Sequence, residues 1–372
     1  MMAGEENRAP RIAILGTVGV PGNYGGFETL AQNLVDYHED TGNSAQLTVY
    51  CSSKALDPAV TRYRGAALRY VGLDANGVQS IPYDMLGLID AIRQGHDRVL
   101  LLGVSGAVIL PFVRLVSRAR IITNVDGIEW KREKWRGLAK HYLRFAEWVA
   151  VRVSHEVIAD NDAIADYLKT AYGAQARVIA YGGDHAVSAV PDPKGLEHLP
   201  DSFALGLCRI EPENNIAMIL EAFDTLDTPL VFVGNWDKSA YGQALKTRYA
   251  DHPSITILDP VYEPSRLRAL RDRASLYLHG HSAGGTNPAL VEMMHFGIPV
   301  AAHGCAFNRS TTEGQAVYFE SAQELREAVR ALEEDGQMRA AMGEAMREIA
   351  RRRYTWKAIG EAYFALLSQS AR

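Results

Sequence analysis

LHGHSAGGTNPALVEMMHFGIPV, residues 278–300, reads as a strand end, a Gly-Gly-Thr-Asn-Pro turn and a helix carrying Glu292. Pro288 suits the first helical turn, because its missing N–H would have no intrahelical partner there. The backbone N–H groups behind it point outward with a partial positive charge. Gly284 and Gly285 let an anion approach that end closely. The segment therefore predicts a phosphate held by main-chain amides, with a carboxylate one or two turns on for a ribose. A strand–turn–helix with no ligand has the same pattern. A second glycine-rich strand–helix turn near the N-terminus weighs against that plainer reading.

Outward from this stretch, apolar runs alternate with amphipathic helical ones, which argues for parallel sheets with helical crossovers. Strands are expected over 11–15, 46–51, 68–71, 99–102, 121–123, 157–158 and 176–179. A second series follows over 203–208, 229–233, 255–257, 276–278, 300–302 and 316–319. Helices are expected over 26–39, 82–94, 106–118, 137–153 and 162–171, then over 214–223, 241–249, 264–271, 288–296 and through 323–368. Residues 181–202 carry three prolines and no periodicity, the texture of an interdomain linker. The expected architecture is α/β, with two Rossmann-like parallel-sheet domains (1–185 and 203–355, linker 186–202) facing across a cleft. In such sheets the ligand lies outside the carboxyl ends of the strands.

The totals agree with two domains. The chain has 372 residues, 47% hydrophobic and 22% charged, enough to bury two cores. A net charge of −5 provides no basic field for nucleic acid. Cys51, Cys208 and Cys305 are widely spaced, which suits reduced thiols in the cytoplasm and no zinc site. The N-terminal MMAGEENRAP is unlike a signal peptide, and no apolar run approaches a membrane span.

Four further segments carry chemistry. LGTVGVPGNYGGFETLA, residues 15–31, lacks both the Rossmann dinucleotide spacing and the Gly-Lys-Ser/Thr of a P-loop. It reads as a long loop presenting Gly25 and Gly26 at a helix N-terminus, toward a phosphate or a sugar. In GLCRIEPENNI, residues 206–216, Arg209 at a strand's carboxyl end suits a diphosphate, or a surface salt bridge. Asn214 and Asn215 sit where a helix cap belongs. In TNVDGIEWKREKWR, residues 123–136, Asp126 and Glu129 follow a strand end and reach toward a ligand, or Asp126 only caps a turn with Gly127. Residues 131–144 then hold six Lys or Arg against one acid. This suits an anionic membrane surface, or equally a solvated helix face with core-facing aromatics. Finally Asp160-Asn161-Asp162 resembles a metal-holding D-x-D, but a helix starts there and an N-cap is the simpler account.

Together GTVGVPGNYGGFETL, NVDGIEWKREKW, RIEPENNI and GHSAGGTNPALVE resemble the retaining glycosyltransferases of family 4, which have the GT-B fold. More narrowly they are similar to bacterial rhamnosyltransferase-like enzymes of capsule, exopolysaccharide or O-antigen synthesis. The resemblance implies a nucleoside-diphosphate sugar as donor, a saccharide or lipid-linked saccharide as acceptor, and no metal or other cofactor. It assigns Gly25 and Gly26 to the loop facing donor and acceptor, Arg209 to the diphosphate and Glu292 to the ribose. Gly285, Thr286 and Asn287 fall in the phosphate turn, and Asp126 where many members place a histidine beside the reacting sugar. Asp126, Arg209 and His281, at the mouth of the glycine turn, are the expected catalytic residues; Tyr24 and Glu129 are expected to bind acceptor. The family's Glu-x7-Glu pattern places its first Glu at Gly284, so His281 or Asn287 would replace that contact. Its usual lysine falls at Asn214. The final helix, 356–372, would return to the first domain. A sugar-nucleotide 2-epimerase and a non-catalytic nucleotide-sugar-binding subunit are the alternative readings.

Overall fold

The computed structural model describes residues 8–22, 25–125, 127–131 and 137–369. The chain forms two compact units, one of residues up to Tyr181 together with those from Trp356 onward, the other Gly182–Thr355.

In the first unit the strands are β1 (Arg11–Leu15), β2 (Gln46–Ser52), β3 (Arg62–Tyr63), β4 (Ala66–Val71), β5 (Arg98–Leu102), β6 (Arg120–Val125), β7 (Glu156–Ala159) and β8 (Arg177–Val178). Their spatial order is β3-β4-β2-β1-β5-β6-β7-β8. All pairs are parallel except β3 with β4. Strands covered on both faces read as continuous apolar runs, and Ile12, Ala13, Ile14, Leu100, Leu101, Ile121 and Ile122 are accordingly buried. The sequence order reverses between β1 and β5, which makes that the switch point of the sheet. Helices α1 (Gly26–Asp40), α2 (Ser80–Arg93), α3 (Leu110–Val116), α4 (Leu138–Val153) and α5 (Asp162–Tyr172) form the crossovers.

The second unit repeats this plan with β9 (Phe203–Leu207), β10 (Leu230–Val233), β11 (Ile255–Leu258), β12 (Ala274–His279), β13 (Val300–His303) and β14 (Val317–Phe319). The order is β11-β10-β9-β12-β13-β14, all parallel, so its switch point lies between β9 and β12. Helices α6 (Ile216–Phe223), α7 (Ala240–Arg248), α8 (Pro264–Asp272), α9 (Pro288–Met294), α10 (Ala306–Thr311), α11 (Ala322–Glu334) and α12 (Gly336–Arg353) belong here. Phe223, Phe232, Trp236, Leu276 and Phe319 are among the buried residues of its core.

The last helix, α13 (Trp356–Leu367), packs in the first unit. Phe364 stacks on Tyr37 with centroids 5.6 Å apart. Asn124 donates to the Tyr363 hydroxyl at 2.6 Å, and Arg98 to the Leu367 carbonyl at 3.0 Å. Residues 186–202, expected as a linker, lie within the second unit. Leu196 and Leu199 are buried, and Arg273 donates to the carbonyls of Leu196, Leu199 and Pro200. At the D-x-D, the Asn161 side chain caps α5 by accepting from the Ala163 amide at 2.9 Å. Among the described residues no helix is long and apolar enough to cross a membrane.

Candidate active site

At the switch point of the second unit, the loop after β9 and the loop after β12 are fastened to each other. Asn215 Nδ2 donates to the Gly280 carbonyl at 2.8 Å. Ser282 donates from both its amide (3.1 Å) and its hydroxyl (2.8 Å) to the Glu213 carbonyl. Gly280 is required, since a Cβ there would run into the Asn214 carbonyl. Asn214 is buried, and its amide donates to the Arg209 carbonyl at 2.8 Å. Its side chain thus closes the Arg209 loop, at the position of the family's usual lysine, where the resemblance would place a contact to the donor. Arg209 itself projects: its side chain is 40% exposed and its pairing with Glu211 is loose, at 3.8 Å. A guanidinium placed this way has a fork of donors of the geometry that suits an anion.

The turn that follows holds a second set of donors. Among the described residues the amides of Gly284 and Gly285 donate to nothing. Gly284 has φ +124° with open space where a side chain would be. This backbone disfavours any L side chain, so the missing first Glu of the family pattern is built into the turn. Asn287 caps α9: its side chain accepts from the Ala289 amide at 3.0 Å, and its carbonyl from the Leu290 and Val291 amides. With Pro288 lacking an N–H, the first helical turn has spent its donors. Among the described residues the amides left over are therefore those of the Gly284–Gly285 turn, and not those of the helix itself as expected. Thr286 is buried beside it.

Glu292, one turn into α9, is held from two sides. One carboxylate oxygen pairs with Arg271, at the end of α8, and the other lies 3.3 Å from His185 Nε2. Burial pushes its pKa up, but Arg271 and His185 outweigh that, and the group sits below the usual glutamate range. Gly183 lets its segment close on α9, because a Cβ there would meet the Glu292 amide at 2.7 Å. Neither Arg271 nor His185 is marked by a motif in the sequence.

Three histidines line the carboxyl ends of β12 and β13. His279 and His281 stack with ring centroids 4.4 Å apart and planes 13° from parallel. His279 is fully buried; burial, then His281 and His303, hold its pKa well below the usual imidazole value. Asn308 Nδ2 donates to the carbonyls of both His281 and His303 at 2.9 Å. Of the three, only His281 is singled out by sequence. Among the described residues no group of three or more His, Cys, Asp or Glu is placed to hold a metal ion.

In the first unit the glycine loop leaves β1 and turns into α1. Glu28 Oε1 accepts from the Val18 amide at 2.9 Å and from Thr17 Oγ1 at 3.3 Å, while Gln32 accepts from the Gly22 amide at 2.8 Å. Gly25 (φ +134°) precedes α1, and a Cβ there would collide with the Glu28 carboxylate. A Cβ on Gly26 would stand 3.4 Å from the Tyr181 hydroxyl. Tyr24 and Asp126 lie outside the described residues. Glu129 is half-buried and opens a short helical turn, Glu129–Lys131, after β6. Beside it Trp130 Nε1 donates to Glu147 Oε1 at 3.2 Å, and the same oxygen accepts from Tyr167 (2.7 Å) and Tyr172 (2.5 Å).

Residues 193–349 match the family described as glycosyl transferases group 1, and residues 10–184 match a domain of unknown function, DUF1972. A comparison with curated proteins finds no match. Among solved structures, the chain is similar to sucrose-phosphate synthase (tll1590) from Thermosynechococcus elongatus. The TM-score is 0.80 at 15% identity, covering 97% of this chain and 99% of that one. It is also similar to Anabaena Alr3699/HepE in complex with UDP-glucose, with a TM-score of 0.72 at 18% identity over 96% and 99%. A third is α,α-trehalose 6-phosphate synthase from Burkholderia multivorans, at 0.71 and 13% identity over 97% and 96%. The chain thus has the GT-B fold, two parallel-sheet α/β domains, and its second domain matches the glycosyl transferases group 1 over 193–349.

Proposed function

We propose that the protein is a retaining glycosyltransferase that moves rhamnose or another hexose from a nucleoside-diphosphate sugar to a saccharide acceptor. The acceptor is lipid-linked, and the setting is bacterial capsule, exopolysaccharide or O-antigen synthesis. One observation carries the reading. Arg209 and the unspent amides of Gly284 and Gly285 stand on two loops fastened together at the switch point of a domain matching glycosyl transferases group 1. Donors fixed in advance around a leaving diphosphate stabilise the charge that develops as the sugar departs. Glu292, kept ionised by Arg271 and His185, offers its remaining lone pairs to the ribose hydroxyls. The Alr3699/HepE structure with UDP-glucose supports a sugar nucleotide as donor.

The acceptor hydroxyl attacks the anomeric carbon from the face the diphosphate leaves. Its proton passes to a phosphate oxygen, so neither a protein nucleophile nor a metal is required. Asp126 and Glu129 orient the sugars. Glu28 places a negative charge at the N-terminus of α1, which favours sugar hydroxyls over a phosphate beside Gly25 and Gly26. Mass spectrometry of reactions with dTDP-rhamnose and other sugar nucleotides, with and without a lipid-linked glycan, tests this reading. Acceptor mass increased by one sugar is the expected result. An altered or released sugar without acceptor would indicate a 2-epimerase instead. Donor binding with neither outcome would indicate the binding subunit that Asn214, spent within its own loop, would suit.

A further inference from the structure

We propose that α3 and α4 together form a docking surface for an anionic lipid bilayer. A helix on a soluble domain normally turns its polar face outward, yet here large apolar side chains stand on the outward faces among the cations. On α3, Leu110 and Val113 point into the core, while Phe112, Leu115 and Val116 lie outside; Phe112 is 60% and Leu115 84% exposed. On α4, Leu143, Ala146, Val149 and Ala150 are buried, while Leu138, Phe145 and Trp148 are exposed, Leu138 by 88%. Leu138, His141, Phe145 and Trp148 recur at three- and four-residue spacing, so they share one face of the helix. Phe145 and Trp148 stack on each other, centroids 5.8 Å apart. Arg114 joins the two helices by donating to the Val153 carbonyl at 2.8 Å. Elsewhere the large exposed apolar residues come singly along the chain, as at Val60, Leu86 and Val190, which is ordinary for a surface.

The charges select the occupant. Among the described residues the exposed charges of α3, of α4 and of the chain just after α3 are all positive: Arg114, Arg118, Lys140, Arg144 and Arg152. The acid of α4, Glu147, is buried on the inner side under Trp130, Tyr167 and Tyr172. On a chain of net charge −5, a local patch of cations around aromatic side chains fits negatively charged headgroups with apolar groups inserted just below them. The 16 residues of α4 give that contact a length of about 24 Å. Tyr142 and Leu143, the aromatic and apolar residues the sequence interleaves with these cations, face inward instead: Tyr142 donates to the Ser105 carbonyl at 2.7 Å and Leu143 is buried.

The full chain is mixed with vesicles of phosphatidylglycerol and phosphatidylcholine, or of phosphatidylcholine alone, and sedimented. Binding to the anionic vesicles, weakened by 0.5 M salt, is the expected result. Two paired substitutions follow, Phe145→Ser with Trp148→Ser, and Arg118→Glu with Arg152→Glu. Each is expected to weaken binding about tenfold or more without lowering the melting temperature, since all four side chains are exposed. Equal binding to both vesicle types, no binding to either, or variants that bind like the parent chain would overturn the proposal. So would a concentration-dependent dimer that the aromatic pair abolishes, because the face would then cover a second copy. No sugar nucleotide is present in this assay, so its outcome is independent of the transfer reaction.

Discussion

At Arg209 the proposed binding role can be separated from folding. Its side chain is partly exposed and loosely paired, so Arg209→Ala removes the proposed diphosphate contact without opening the core. Turnover is expected to fall about 100- to 1000-fold with the melting temperature unchanged, as steady-state kinetics beside calorimetry will test. Glu292 behaves oppositely, because Arg271 is buried against it and would lose its counter-charge. Glu292→Gln is expected to cost stability at pH 7, about 3 kcal/mol by the measure of other broken buried pairs. The sign of its pH dependence follows from the depressed pKa. The ionised form stabilises the fold fully above the unfolded value, about 4.3, and that contribution disappears as pH falls through the folded value. Melting curves of parent and variant should therefore converge below about pH 4. A constant gap down to pH 3 would contradict the assignment. At this scale the sequence is informative about Arg209 and Glu292, which stand in recognisable segments. It is silent on His185 and Arg271, whose meeting with Glu292 depends on packing between separate elements.

Among the elements, the turn between β12 and α9 shows how far local patterns carry. Pro288 and the glycines mark the turn correctly, but which amides are left over depends on Asn287 closing the first turn. Asn287→Ala should destabilise the second unit by about 1 kcal/mol, measurable in urea, and free the Ala289 amide. Parallel strands are legible as continuous apolar runs, so β1, β5, β9 and β12 fall where the pattern predicts. β3 and α10, two and six residues long, are too short to show a period. The β12 end also carries a titration. His279 has its pKa held well below normal, so the unfolded chain binds the proton first as pH falls. Stability is full above about pH 6.5 and declines below it, by up to ~1.4 kcal/mol per pH unit. His279→Gln should flatten that decline between pH 6.5 and 5 in thermal melts.

Across the whole molecule, the chain completes its first unit with its last helix. Removing residues after Thr355 would strip Phe364 from Tyr37 and leave the buried Asn124 without the Tyr363 hydroxyl. Loss of one buried aromatic contact costs about 3–5 kcal/mol. The truncated chain should lose the first unit's unfolding transition while the second unit, whose core lies within Gly182–Thr355, retains its own. Two transitions in calorimetry of the full chain, with only the second surviving truncation, would bear this out. Two doubly wound sheets are legible from alternation alone. The return of α13 is implied by family resemblance and not by its own residues, since an amphipathic helix does not name its partner.

In the proposed function the second unit grips a nucleoside-diphosphate sugar through Arg209 and the Gly284–Gly285 turn. Thermal melts with a panel of UDP-, dTDP- and GDP-sugars in EDTA are the sharpest test, because a ligand that binds only the folded chain stabilises it by an amount that grows with the logarithm of its concentration over its Kd. At least one sugar nucleotide should raise the melting temperature of the parent chain, with most of that shift gone in Arg209→Ala. No shift with any donor at millimolar concentration, or the same shift in the variant, would contradict the claim.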